Sequence, residues 1–188
     1  GEGDSDVDAD TDTDTDIDID VDVDTDVDDT GGPVDCEDLP PRVEVGTGET
    51  EFRPLLDEEP VVMVHGPQGG WHMLGSVRVH SMDPIVEVHF TIRDEPSGVQ
   101  VSDNTYRVAV VQDGECTGYY PGMYGYLDVS GLASGEITTP PGLLAGHPMI
   151  LTMAVTDYSG LTATEEHRVV AQLDSIDMDT PDGDTGTP

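Results

Sequence analysis

Residues 85–93 read Ile85-Val86-Glu87-Val88-His89-Phe90-Thr91-Ile92-Arg93, and this stretch decides the fold class. Side chains two apart in a β-strand lie on one face. Val86, Val88, Phe90 and Ile92 therefore fall together as a core face, and Glu87, His89, Thr91 and Arg93 as a solvent face. The same period recurs at Tyr106, Val108 and Val110, and again at Met149, Leu151, Met153 and Val155.

Outward from this strand, further runs read as strands: Val43–Val45, Pro60–His65, Trp71–Met82, Tyr106–Gln112, Tyr124–Val129, Met149–Thr156 and Leu161–Leu173. Turn residues separate them, among them Gly66-Pro67, Asp83-Pro84, Asp113-Gly114, Pro140-Pro141-Gly142 and Ser159-Gly160. Seven or eight short strands at this spacing predict an all-β chain, a β-sandwich of about seven or eight strands with Greek-key connections. The closing segment, a strand, the turn Asp157-Tyr158-Ser159-Gly160 and a last strand to Leu173, resembles the final hairpin of bacterial immunoglobulin-like and cadherin-like surface domains. That resemblance implies an immunoglobulin-like sandwich and a bacterial surface location. The cysteine–tryptophan arrangement of antibody domains is not part of it, because Cys36 precedes the strands and Trp71 has no matching partner.

Ahead of the sandwich stands a second pattern. Asp4, Asp6, Asp8, Asp10, Asp12, Asp14, Asp16, Asp18, Asp20, Asp22, Asp24, Asp26 and Asp28 occupy every even position, with mostly Thr, Val and Ile between them. In an extended strand one face carries carboxylates roughly 6.7 Å apart and the other carries β-branched side chains. Their mutual repulsion keeps such a strand solvated unless cations offset it. Calcium, which takes about 6–8 oxygen ligands, suits a row of carboxylates, and several ions are expected. The spacers favour an ordered, cation-loaded strand whose Val/Ile face is buried; the alternative is a flexible acidic stalk.

The domain boundaries expected are residues 1–30 for the repeat, 31–42 for a Gly/Pro linker, 43–173 for the sandwich and 174–188 for an acidic tail. The chain of 188 residues carries a net charge of −35 with only six basic residues. All of these are arginines, at positions 42, 53, 78, 93, 107 and 168, so the sandwich is the least acidic part. Without a basic patch a nucleic-acid partner is excluded. No apolar run is long enough for a transmembrane segment. The start at Gly1 reads as a processed chain, and its short acidic character suits a lipid anchor just upstream. Cys36 and Cys116, the two cysteines, are expected to form a disulfide, which favours an extracellular or cell-surface setting.

Two stretches inside the sandwich stand out. His65-Gly66-Pro67-Gln68-Gly69-Gly70-Trp71-His72-Met73 offers His65, His72 and Met73 as copper ligands, or a tight hairpin with Trp71 in the core. The segment Gly118-Tyr119-Tyr120-Pro121-Gly122-Met123-Tyr124-Gly125-Tyr126 is a candidate contact surface. No nucleophile elbow, zinc-protease helix or phosphate-cradling loop is present, so the chain does not read as an enzyme.

The length of the repeat sets the functional expectation. Residues 4–28 extended span about 80 Å, roughly twice the diameter of a compact domain of this size. Such a strand lies along neighbouring copies, and head-to-tail contact that need not close yields filaments. The reading is an extracellular structural protein that assembles into a homo-oligomeric fibre or surface layer through calcium on its aspartates. The alternative is a surface-tethered binding module, with His65–Met73 as its ligand or copper site.

Overall fold

The computed structural model describes residues 35–66, 69–132 and 135–175. The aspartate repeat, with all thirteen candidate calcium ligands, lies outside the described residues. So do residues 31–34 and the tail from residue 176.

After a single 3-10 turn at Cys36–Asp38, the strands are β1 (Arg42–Thr47), β2 (Arg53–Pro54), β3 (Glu59–His65), β4 (Trp71–His80), β5 (Ile85–Asp94) and β6 (Gln100–Ala109). Then come β7 (Val111–Gln112), β8 (Thr117–Tyr126), a short helix α1 (Pro140–Leu144), β9 (Pro148–Asp157) and β10 (Thr162–Leu173). The strands run β2-β1-β4-β3-β10-β9-β5-β6, with β8 on the far edge of β4 and β7 on β8. Strand β4 shares one edge between two partners: β3 pairs with it from Met63↔Met73 to His65↔Trp71, and β1 from Arg42↔His80 to Gly46↔Ser76. All pairs are antiparallel except β3 with β10. Here β4 pairs with β8 while β5 pairs with β9, and β3 bridges β4 and β10, so all ten strands join in one curled mixed sheet. The chain is all-β, as expected, with ten strands where seven or eight were expected, two of them only two residues long, and β6 stands at one edge.

The pattern of residues 85–93 holds as expected. Val86, Val88, Phe90 and Ile92 are buried, as are Met149, Leu151, Met153 and Val155 of the neighbouring β9. The layers meet closely across Phe90. A Cβ on Gly75 of β4 would stand 2.7 Å from both the Phe90 ring and Met153, and one on Gly125 of β8 would stand 2.5 Å from Ile92. Met63, Met73 and Met123 complete the core from the other layer. Their unbranched side chains fill the irregular space that glycines leave.

Two strands begin earlier than their sequence suggests. Strand β6 starts at Gln100, not Tyr106, because Ser102, Asp103 and Asn104 interrupt the apolar pattern on what is an edge strand. Strand β8 spans Thr117–Tyr126, not Tyr124–Val129. Its register against β4 shifts between Gly75 and Val77, where Pro121 and Gly122 oppose Ser76 alone. A bulge of two residues against one accommodates a proline that has no N–H to donate. Gly122 has φ +68°, and its N–H donates to the Gly48 carbonyl at 2.9 Å. The Pro140-Pro141-Gly142 turn is the first turn of α1, where proline needs no N–H partner, and Leu144 of that helix plugs the core.

The turn between β9 and β10 is closed by Asp157. Its carboxylate accepts from the N–H groups of Leu161 and Asp83 at 2.8 and 3.1 Å and from the Ser159 hydroxyl at 2.8 Å. Burial opposes its ionisation, but these hydrogen bonds outweigh that and hold the carboxyl below its usual range. A depressed folded-state value stabilises the fold above the unfolded value near pH 4, and that stability is lost as pH falls through the folded value. Asp157→Ala is therefore expected to cost about 1–3 kcal/mol at neutral pH. In urea titrations the gap from the parent should shrink steadily below about pH 4; a gap constant with pH would show that the ionised form is not what closes the turn.

Candidate ligand-binding groove

The two stretches singled out in the sequence, some fifty residues apart, meet on the outer face of the β4–β8 layer. His72 pairs directly with Tyr126, and Leu74 with Tyr124. Because side chains alternate, residues 73, 75 and 77 of β4 turn to the core while His72 and Leu74 turn outward. Tyr124 and Tyr126 turn outward on β8, and Gly125 between them faces the core against Ile92 and Phe90. The groove is lined by Glu49, Val64, His65, Gly66, Gly70, His72, Leu74, Tyr124 and Tyr126, and has a volume of about 680 Å³.

Its rings are set at fixed angles. The Tyr124 and Tyr126 rings lie 5.9 Å apart and nearly parallel, at 25°. The His72 ring stands across them, 4.7 Å from Tyr124 at 81° and 6.2 Å from Tyr126 at 63°. Tyr124 and Tyr126 remain 39% and 55% exposed, whereas His72 is 7% exposed. Burial lowers the His72 pKa, so its imidazole is neutral at physiological pH. Strand β6 fixes the backbone beneath the tyrosines. The Tyr106 hydroxyl donates to the Tyr124 carbonyl at 2.5 Å, and the Tyr126 N–H donates to Asn104 Oδ1 at 3.1 Å. Burial raises the Tyr106 pKa, so that hydroxyl keeps its proton.

At the groove's end the chain turns between β3 and β4. The Gly66 N–H donates to the Gly70 carbonyl at 2.7 Å, and His65 lies 4.7 Å from the Trp71 ring. Trp71 is half-buried at the margin of the core, not deep within it.

His65, His72 and Met73 do not share a face. Met73 is fully buried beside Met63, whereas His65 and His72 both line the groove, His65 tilted at 34° against Trp71. The other histidines are engaged elsewhere: His80 with Glu44 at 2.8 Å, His89 with Asp103 at 2.7 Å, His147 with Asp94 at 2.8 Å and His167 beside Asp57 at 3.6 Å. Among the described residues no three His, Cys, Asp or Glu side chains converge as a metal site.

The cysteines are joined as expected. Cys36 and Cys116 form a disulfide with Cα atoms 5.4 Å apart, closing a sequence separation of 80 residues. No helix among the described residues is long and apolar enough to cross a membrane.

No protein-family model and no curated protein matches the chain. Among solved structures it is similar to the CooA pilin subunit from enterotoxigenic Escherichia coli, with 11% sequence identity and a TM-score of 0.35, over 70% of this chain and 98% of that one.

Glu49, Val64 and Leu74 were not singled out from the sequence. The outward pairs His72/Leu74 and Tyr124/Tyr126 each show the period of two, but only the register that follows the Pro121-Gly122 bulge brings them side by side.

Proposed function

We propose that this protein is an extracellular structural subunit that works in series within a fibre or surface layer, joined to its neighbours by calcium on the aspartate repeat. One observation carries this reading: the sandwich is fastened at opposite poles. At one pole β4 ends at His80, the Ser81 N–H donates to the Cys116 carbonyl at 2.8 Å, and Cys116 holds Cys36, which lies in the linker that follows the repeat. At the other pole β4 begins, and β10 ends there at Leu173, paired with Met63. The two attachments are about 30 Å apart, the length of a ten-residue strand. A module whose covalent connections leave from opposite ends, one of them stapled, suits a load-bearing link in a chain of copies.

The repeat supplies the connector in this reading. Its carboxylate row takes up several calcium ions, and its Thr/Val/Ile face is buried against a neighbouring copy. The test compares the full chain with a version lacking residues 1–30, by electron microscopy and calorimetric calcium titration. With millimolar calcium the full chain should form filaments that a chelator loosens, while the shortened chain stays a folded monomer and binds far fewer ions. Equal polymerisation of both would remove the repeat as connector, and equal calcium uptake would remove its metal role.

A further inference from the structure

We propose that the groove on the outer face of β4 and β8 binds an organic cation, a quaternary or methylated ammonium group, on the exposed rings of Tyr124 and Tyr126, backed by the buried ring of His72 and with Glu49 as its counter-charge. The inference is independent of the fibre reading, since it uses only the described sandwich.

Four observations lead to it. First, Tyr124 and Tyr126 are large aromatic side chains with no place in the core, yet their backbone is pinned by Tyr106 and Asn104. Aromatic side chains fixed on a strand lose little freedom when a ligand arrives. Second, His72 stands at 81° and 63° to the two nearly parallel tyrosine rings, so the three form a corner and not a flat patch. Cations are attracted to the electron-rich faces of such rings, and aromatic corners of this kind hold quaternary ammonium groups.

Third, the charge is of one sign. Glu49 is the carboxylate in the lining, no arginine lines the groove, and the chain as a whole carries a net charge of −35. The neutral imidazole of His72 sets up no opposing charge. Fourth, about 680 Å³ falls within the range of small-molecule sites, roughly 300–1,000 Å³. Glu49, His65 and His72 line the groove but do not converge as a metal site, so the groove offers no shell for a bare divalent ion. They suffice for a soft, weakly hydrated cation that rings can enclose.

The reporter is already in place. Trp71 is the single tryptophan; it does not line the groove itself but lies 4.7 Å from the ring of His65, which does, and its fluorescence reads the site through that contact. The full chain is titrated at constant ionic strength with tetramethylammonium and choline, and in parallel with 3,3-dimethylbutanol, the uncharged isostere of choline. Saturable quenching or enhancement is expected with both cations, at least about tenfold weaker with the isostere. Tyr126→Ala should weaken binding about 2- to 30-fold, the range of one cation–π contact. Tyr126→Phe, which keeps the ring and loses the hydroxyl, should bind nearly as the parent does. Glu49→Gln should weaken binding and flatten its salt dependence.

Equal affinity for the isostere would overturn the proposal, as would an unchanged affinity in Tyr126→Ala. Saturation by a neutral methyl glycoside in place of the cations would identify a carbohydrate site instead. No response to either cation up to about 100 mM would leave the groove without this role.

Discussion

Reduction of the Cys36–Cys116 disulfide is expected to remove about 4–5 kcal/mol of stability and to change how the protein answers to force. The thermodynamic part follows from the sequence separation of 80 residues, for which the chain-entropy relation gives about that loss when the cross-link is opened. The mechanical part follows from where the bond sits. Cys36 precedes every strand among the described residues and Cys116 immediately precedes β8, so a pull on the N-terminal side passes through the sulfurs directly to β8. Strands β1 to β7 lie inside the closed loop and bear none of it. In single-molecule stretching from the two ends, the oxidised chain should release a contour length shorter by about 80 residues, or roughly 290 Å, than the reduced chain. Urea titration with and without reductant measures the first quantity. Identical contour lengths in the two redox states would show that the bond does not lie on the load path.

The strands that were legible in the sequence are those with one apolar and one polar face, and the reasons for the others are physical. Strands β5 and β9 sit side by side in one layer, each turning one face to the core, so a period of two runs uninterrupted through both. Strand β6 is an edge strand, where Ser102 is buried and hydrogen-bonds to Asn104 at 2.9 Å, so a polar pair took the place of an apolar signal. In β8 the glycines are required by close approach to Phe90, Ile92 and the Gly48–Glu49 loop, and glycine in sequence reads as a turn. The cysteine pair was legible because an isolated pair has one intramolecular pairing open to it. Copper ligation by His65, His72 and Met73 was drawn from nearness along the chain, whereas the period of two already places residues 72 and 73 on opposite faces. The groove was half legible: both its stretches stood out by composition, but their register depends on one bulge.

Replacing Phe90 by alanine is expected to cost about 3–5 kcal/mol, the range for emptying an aromatic site in a core that cannot collapse. The ring is fully buried, and the two strands facing it have already given up their side chains at Gly75 and Gly125. A β-carbon at Gly75 would stand 2.7 Å from that ring, so Gly75→Ala alone overpacks the site and should cost about 1–3 kcal/mol. With both changes present the new methyl occupies space that the ring has vacated. The double variant should therefore be more stable than the sum of the single losses predicts, by about 0.5–3 kcal/mol. Four urea titrations complete the cycle, and additivity within about 0.5 kcal/mol would mean that ring and glycine do not compete for one space. The groove gives a second readout. Gly125 faces Phe90 from between Tyr124 and Tyr126, so the ring supports the strand that presents both tyrosines to the outside. Loss of Phe90 should loosen that strand from within and shift the Trp71 emission of the folded protein.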